Sequence, residues 1–463
     1  MSVASQSVAK TENRFFPLAI CGAVLILLLA GLLRALGVSL VTPALAVGAV
    51  AVVWVAFRHP IGSLGGVLAL MPIYPLTFLL AKFFGPPFMQ SSAVKALDKI
   101  SLLLLVGILC WRSNVKLRAP DLLLLACVVL AVLRFCFRGS LLPLVNDFDL
   151  VIGYAAGRLA LLTVEQQGSW ARRAFWLVAV LSVLGMIEVF FIGEGPRATL
   201  YLSVADVATE GAELNGTFRA AGFNGLRESS TMFGPLQFAA LCMLGLILWW
   251  VYSKKILLPG IAIFAGLICT VTRGAWIATT LAIFSLAIAM GQKKRFFTYT
   301  GWGLALFIAL IPVIGIGEFL SATKSKQDPS AEAHVQGIGT GVQYILDHPL
   351  GVGPGNAGKY DTITGNQTAP WIENAYLTLA EEYGIATSLC FIGFIASALL
   401  VVWRKRTSLG YAATGILVGF SALMCFFPCH DIFVLACWVW FPVGLAVGSS
   451  TDMLAPAGRP AAG

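Results

Sequence analysis

The chain has 463 residues, 58% hydrophobic and 11% charged, against roughly 45–50% apolar and roughly 25% charged for a soluble domain. Its apolar residues form runs long enough to cross the roughly 30 Å hydrocarbon core of a bilayer. Disordered, collagen-like, disulfide-stapled and nucleic-acid-binding proteins are thereby excluded, and the net charge of +9 must be mapped by membrane side before it implies a partner.

An all-α polytopic bundle of about 12–14 spans is expected, with centres near Leu27, Val50, Leu70, Leu104, Leu130, Gly157, Leu181, Leu241, Ile263, Ile283, Ile308, Ile392, Ile416 and Trp440. The polar start carries Lys10 and Arg14, and the run after it lacks a small-residue cleavage site, so the first helix is read as retained. With a cytoplasmic N-terminus, basic residues fall in cytoplasmic turns throughout: Arg58, Arg112, Lys116, Arg118, Arg172, Arg173, Lys254, Lys255, Lys293, Lys294, Arg295, Arg404, Lys405, Arg406 and Arg459. Both termini are therefore expected on the cytoplasmic side. The 10 cysteines lie almost wholly in apolar runs and imply no disulfide framework.

The expected order is an N-terminal bundle (1–193), a first outer loop (194–230), central spans (231–317), a long outer loop with a surface helix (318–371), C-terminal spans (372–449) and a disordered tail (450–463). Both long excursions fall on the outer side, where function is expected. The first carries Arg197, Arg219 and Arg227, and the later turn Thr270-Val-Thr-Arg273-Gly-Ala-Trp276 carries Arg273. These arginines oppose the positive-inside trend, and a guanidinium fork suits phosphate oxygens. The alternative is that they snorkel or pair with Glu194, Glu213 or Glu228.

In the second excursion, Val335, Ile338, Val342, Ile345 and Leu346 recur on one face of an expected surface helix over about Glu332–Leu346. The Gly- and Pro-rich run His348–Tyr360 reads as a loop that could serve as a hinge or lid. Within it Gly353-Pro-Gly355-Asn-Ala-Gly358 matches a dinucleotide-binding string, but it neither follows a strand nor opens a helix, and it is not read as such a site.

The chain returns through Pro370-Trp371-Ile372-Glu373-Asn374-Ala-Tyr376. A helix beginning near Trp371 would hold Glu373 in its first turn, where the helix dipole favours a carboxylate able to act as a base; simple capping is the alternative. Glu381 would lie about 12 Å deeper on the same face, and Glu381 and Glu382 read as buried polar bridges to a neighbouring helix. Cys425, Cys429, His430 and Asp431 do not have a standard zinc spacing. No metal and no cofactor are expected.

At these residues the chain resembles the O-antigen ligase and O-antigen polymerase superfamily of bacterial polysaccharide assembly. The likeness rests on Arg219-Ala-Ala-Gly222-Phe-Asn with Ser229-Ser-Thr-Met-Phe-Gly234-Pro235, then Thr272-Arg273-Gly274-Ala-Trp276, then Asp347-His-Pro349-Leu-Gly351-Val-Gly353 followed by Glu373-Asn374-Ala-Tyr376-Leu377 and Glu382-Tyr383-Gly384. It implies an inverting, metal-independent glycosyltransferase of the GT-C-like membrane type in the bacterial inner membrane. It also implies an undecaprenyl-pyrophosphate-linked oligosaccharide donor, a sugar acceptor, membrane lipids, and a chain-length regulator and flippase of the same pathway as partners. By position, Arg273 would hold pyrophosphate, with Arg219, Arg227 and Arg197, and Asn374, Tyr376 and His430 would contact the glycan. Ligases typically carry His-Asn where this chain has Glu373-Asn374, which makes it look more like an exopolysaccharide polymerase, with Glu373 as base and His430 as a substitute. The leading expectation is a repeat-unit polymerase and the alternative is a ligase acting on lipid A-core or protein. A transporter, suggested by Arg158, Glu188, Glu381 and Glu382 near spans, is a third reading.

Overall fold

The computed structural model describes residues 55–56, 58–73, 97–112, 115–192, 230, 232, 234–253, 256–298, 300–301, 305, 308, 329–357, 369–370 and 372–449. Residues 1–64 and 65–463 form two compact units. Of the first, the described part includes the start of helix α1 (Pro60–Leu70); the other elements belong to the second. In order these are α2 (Leu97–Arg112), α3 (Ala119–Phe137), α4 (Leu141–Asp147), α5 (Asp149–Leu159), α6 (Val164–Ile187, continued by a π-helical turn Glu188–Ile192), α7 (Pro235–Tyr252), α8 (Leu258–Cys269), α9 (Arg273–Ala289), α10 (Pro329–Asp347), α11 (Ala375–Tyr383), α12 (Ile385–Arg404), α13 (Ser408–Met424), a 3₁₀ turn (Cys429–Asp431) and α14 (Phe433–Gly448).

Ala119–Phe137, Val164–Phe191, Pro235–Tyr252 and Ile385–Arg404 are long and apolar enough to cross a membrane, and several shorter apolar helices pack among them. The fold is an all-α polytopic membrane bundle. The span centres from Leu70 to Ile283 and from Ile392 to Trp440 fall in helices, while Leu27, Val50 and most of the run around Ile308 lie outside the described residues.

Two expected helices are broken. The run around Gly157 divides at Phe148 (φ −103°, ψ 17°) into α4 and α5, and the 11 residues of α5 extend only about 16 Å. The run from Trp371 divides at Gly384, whose φ of +90° stops α11 before α12 begins. Helix α11 itself starts at Ala375, because Asn374 accepts hydrogen bonds from the amides of Tyr376 and Leu377 at 3.0 and 3.1 Å. Asparagine is a far better N-cap than a residue two positions earlier in the chain can be. Glu373 therefore precedes the helix instead of occupying its first turn, which corrects the sequence expectation.

At the centre lies α14, buried from Phe433 to Val447, with the Trp440 ring 4.9 Å from Phe394 and 6.3 Å from Phe420. Its tightest neighbour is α5. Gly153 and Gly157 of α5 meet the α14 backbone, and Gly444 of α14 meets that of α5, so closely that a Cβ at Gly157 would sit 2.0 Å from the Phe441 carbonyl oxygen, and one at Gly444 2.2 Å from that of Tyr154. Two small-xxx-small stripes thus let the backbones meet, the usual route to close helix packing in lipid.

Polar groups lock one end of this pair. Asp121, at the start of α3, accepts from Arg158 Nε and Nη2 at 2.9 and 2.7 Å, from the Tyr154 hydroxyl at 2.8 Å and from the Arg118 amide at 2.8 Å. Lys405 Nζ donates to the carbonyls of Ala446 and Val447 at 2.7 and 3.1 Å, satisfying the last turn of α14 with a cation where the dipole favours one.

Candidate active site

The turn before α9 is buried and strained. Thr270, Val271 and Thr272 are all buried, and Val271 has φ +48°, a conformation a β-branched residue adopts only when its surroundings impose it. Thr270 and Thr272 tie their hydroxyls to the carbonyls of Leu267 and Thr270 at 2.7 and 3.1 Å. Arg273 follows as the first residue of α9, half-buried at a helix N-terminus, a place suited to anionic oxygens.

The returning strand of chain is fastened to the same neighbourhood. Asn374 Nδ2 donates to the carbonyl of Cys425 at 3.2 Å, and the Tyr376 hydroxyl donates to that of Ser421 at 3.1 Å. A Cβ at Gly274 would lie 2.9 Å from Phe426 Cβ. The end of α13, residues 421–426, is thus the post on which both the α9 start and the α11 start are mounted. Glu373 is exposed beside Asn374. The structure brings Arg273, Glu373, Asn374 and Tyr376 to one end of the bundle; Arg197, Arg219 and Arg227 lie outside the described residues.

His430 follows the same turn but points inward. It is 2% exposed, with Nε2 3.9 Å from Asp147 Oδ1, so it lies behind the turn among buried acids, away from the exposed position of Glu373. Asp147 accepts from the Tyr383 hydroxyl at 2.7 Å, and its carboxyl faces that of Glu382. Both acids sit on short helices outside the spans, and burial pushes both carboxyls above the usual carboxylate range, Glu382 also through the charge of Asp147. Glu381 is fully buried with neither carboxyl oxygen partnered among the described residues, and burial pushes it up to about 8. Glu382 is the expected polar bridge; Glu381 is not.

The Gly- and Pro-rich loop is docked onto these acids. The amides of Val352 and Gly353 donate to the carbonyls of Glu381 and Glu382 at 2.7 and 2.8 Å, and Ser140 donates to Pro354 at 2.9 Å. The Gly355 amide donates to Glu382 Oε1 at 3.3 Å, and Arg134 donates to the Gly351 carbonyl. Gly351, Gly353 and Gly355 take φ of +77°, +98° and +83°, and at Gly351 a Cβ would meet the Gly384 amide at 2.5 Å. Gly353 and Gly355 of the dinucleotide-like string therefore serve close packing. Residues 351–357 are an anchored inner segment, which corrects the reading of the whole run as a hinge or lid. Preceding them, α10 packs on α11 through Gly341 and buried Ile345.

Sequence reasoning missed Asp147 and Asp149. Lys99 lies 2.7 Å from Asp149 Oδ2 and donates to Asn146 at 2.6 Å, so the Asn146-Asp147-Phe148-Asp149 cluster contacts α2, α11 and the 3₁₀ turn. Two acids within an apolar run were the available signal.

Residues 258–392 match a family model described as O-Antigen ligase. An O-antigen polymerase of Salmonella muenchen is 23% identical over 241 residues, 48% of this chain and 57% of that protein. The chain thus spans just over half the length of the curated relative it matches. The family match begins at α8 and ends within α12, enclosing Arg273, the docked loop, Glu373, Asn374, Tyr376 and Glu382 but neither Asp147 nor His430. Over this segment, the chain resembles the O-antigen ligase and O-antigen polymerase superfamily.

Proposed function

We propose that the chain is a polysaccharide repeat-unit polymerase of the bacterial inner membrane. It moves a growing glycan from undecaprenyl pyrophosphate to a sugar hydroxyl on the periplasmic side, with both termini cytoplasmic. The observation that carries this reading is the mounting of Arg273 and of Glu373-Asn374 on one turn at the end of α13. An exposed carboxylate and a cation at a helix N-terminus are the two groups such a transfer needs at its acceptor and leaving-group sides.

In this reading the Glu373 carboxylate takes the proton of the acceptor hydroxyl, whose oxygen attacks the anomeric carbon with inversion. The bond from that carbon to the pyrophosphate oxygen breaks, and the released charge is held by Arg273 and the first amides of α9. Arg197, Arg219 and Arg227 supply further contacts to pyrophosphate or glycan. The amide of Asn374 and the hydroxyl of Tyr376 are engaged within the protein, so they orient Glu373 and the acceptor. His430, being buried, supports the site from behind.

The name of the curated relative favours polymerisation, whereas the family description favours a ligase that delivers finished glycan to lipid A-core or protein. The chemistry is common to both and the acceptor differs. Glu373→Gln and Arg273→Ala, in protein shown to insert normally, are each expected to lower transfer by about 10²–10⁴-fold. Wild-type amounts of polymer from both variants would remove this mechanism.

A further inference from the structure

Asp147 and Glu382 are both buried, at 5% and 3% exposure, with their carboxyls facing each other as hydrogen-bonding partners. An ionised carboxylate only accepts hydrogen bonds, so a bond between two carboxyls requires a proton on one of them. The other donors to the pair are Tyr383, which donates to Asp147 Oδ2, and the Gly355 amide, which donates to Glu382 Oε1. Lys99 is paired with Asp149, and Arg134 is bonded to the carbonyl of Gly351. His430 stands 3.9 Å from Asp147 Oδ1, beyond hydrogen-bond reach, and Asp431 beside it adds negative charge to the same environment. Arg138, at the end of α3, is exposed.

The pair also has a mechanical position. It joins the two helix breaks, Asp147 closing α4 and Glu382 lying next to the end of α11. Through Gly355 it holds the inner segment 351–357, the point from which the chain leaves for residues 358–371 and returns at Glu373.

We propose that Asp147 and Glu382 share one proton and act as positioning residues, a latch that keeps segment 351–357 seated on α11 and so fixes the outgoing end of the excursion that carries Glu373. Loss of that proton sets two carboxylates against each other and unseats the segment. Burial raises both groups above the ordinary carboxylate range, so the release lies above that range too. The latch rests on the transferase reading only for its consequence in transfer, not for its existence.

Hydrogen exchange of the full-length protein in detergent, followed across pH and corrected for the intrinsic base-catalysed rate, tests it at the amides of Val352, Gly353 and Gly355. Above the ordinary carboxylate range, where the unseated carboxyls lose their protons while the seated pair keeps its own, protection in the wild type is expected to fall about tenfold per pH unit, the slope of a one-proton linkage. Glu382→Gln keeps a donor toward Asp147 and an acceptor for Gly355 without a proton to lose, and is expected to abolish the slope. Asp147→Asn is the second variant with the same expectation. The same slope in the wild type and in a folded variant would overturn the latch. The expected exchange in a protein that makes no polymer would support the latch while removing only the transferase reading.

Discussion

Two buried charge clusters stand at opposite ends of α5, and they are built on different terms. At the Arg158 end, the strong groups are satisfied: Asp121 accepts four hydrogen bonds, two of them from the guanidinium, and Lys405 closes the last carbonyls of α14. At the Asp149 end, Asp149 is paired with Lys99, while Asp147 and Glu382 lean on each other, with His430 3.9 Å from Asp147 and Glu381 without a hydrogen-bond partner among the described residues. A complete ion network fixes helices, whereas an incomplete one carries free energy that protonation can shift. The contrast assigns structure to the first end and work to the second, and it accounts through Asp121 for Arg158, one of the four charges that suggested a transporter.

The largest effect tests the structural end. Asp121→Ala, which leaves the buried Arg158 guanidinium uncompensated, is expected to destabilise the protein by about 3–5 kcal/mol, read as a fall in thermal midpoint in detergent. A small change there would mean that Arg158 is solvated and that the two ends do not differ. Next, Gly157→Ala drives a methyl into the Phe441 carbonyl and is expected to lower stability by about 1–3 kcal/mol. Since α5 connects the clusters, full stability in this variant would show that the close α5–α14 contact does not hold them in place.

At the other end the signature is pH. A carboxyl whose folded-state pKa is raised keeps its proton in the folded protein after the unfolded chain has lost it. The stability contributed by Asp147 and Glu382 is therefore fully present below the ordinary carboxylate range, about 4, and declines as pH rises through the folded values. Thermal midpoints of the wild type should drift down over that range, with a shallower slope in Glu382→Gln. The smallest expected effect is at Glu381, where Glu381→Leu removes a buried carboxyl with no hydrogen-bond partner among the described residues and should stabilise by about 1 kcal/mol. A loss of stability would reveal a partner for this carboxyl.

Much of the scaffold was legible because lipid imposes long apolar runs, and each run from Leu104 to Ile283 and from Ile392 to Trp440 is helical. The breaks at Phe148 and Gly384 were not, since hydropathy averages over the few residues where the backbone turns. Asn374 as a cap was readable from its residue type, but the helical face shared by Glu373, Leu377 and Glu381 suggested an earlier start. The Arg273 turn and the Glu373-Asn374 return were found by motif, and in the structure both lean on residues 421–426, some fifty or more positions further along the chain. Asp147 was missed because its partners Tyr383 and His430 lie more than two hundred residues away. Arg158 looked like a membrane-embedded functional charge until Asp121 appeared beside it.

The transferase reading is tested most directly by mass spectrometry of undecaprenyl-linked sugars in cells lacking this protein, with the Glu373→Gln and Arg273→Ala variants alongside. The account predicts accumulation of single lipid-linked repeat units and loss of polymer in all three. Lipid-linked long chains that never reach a final acceptor would shift the assignment to a ligase, and an unchanged lipid-linked pool would contradict glycan transfer by this chain.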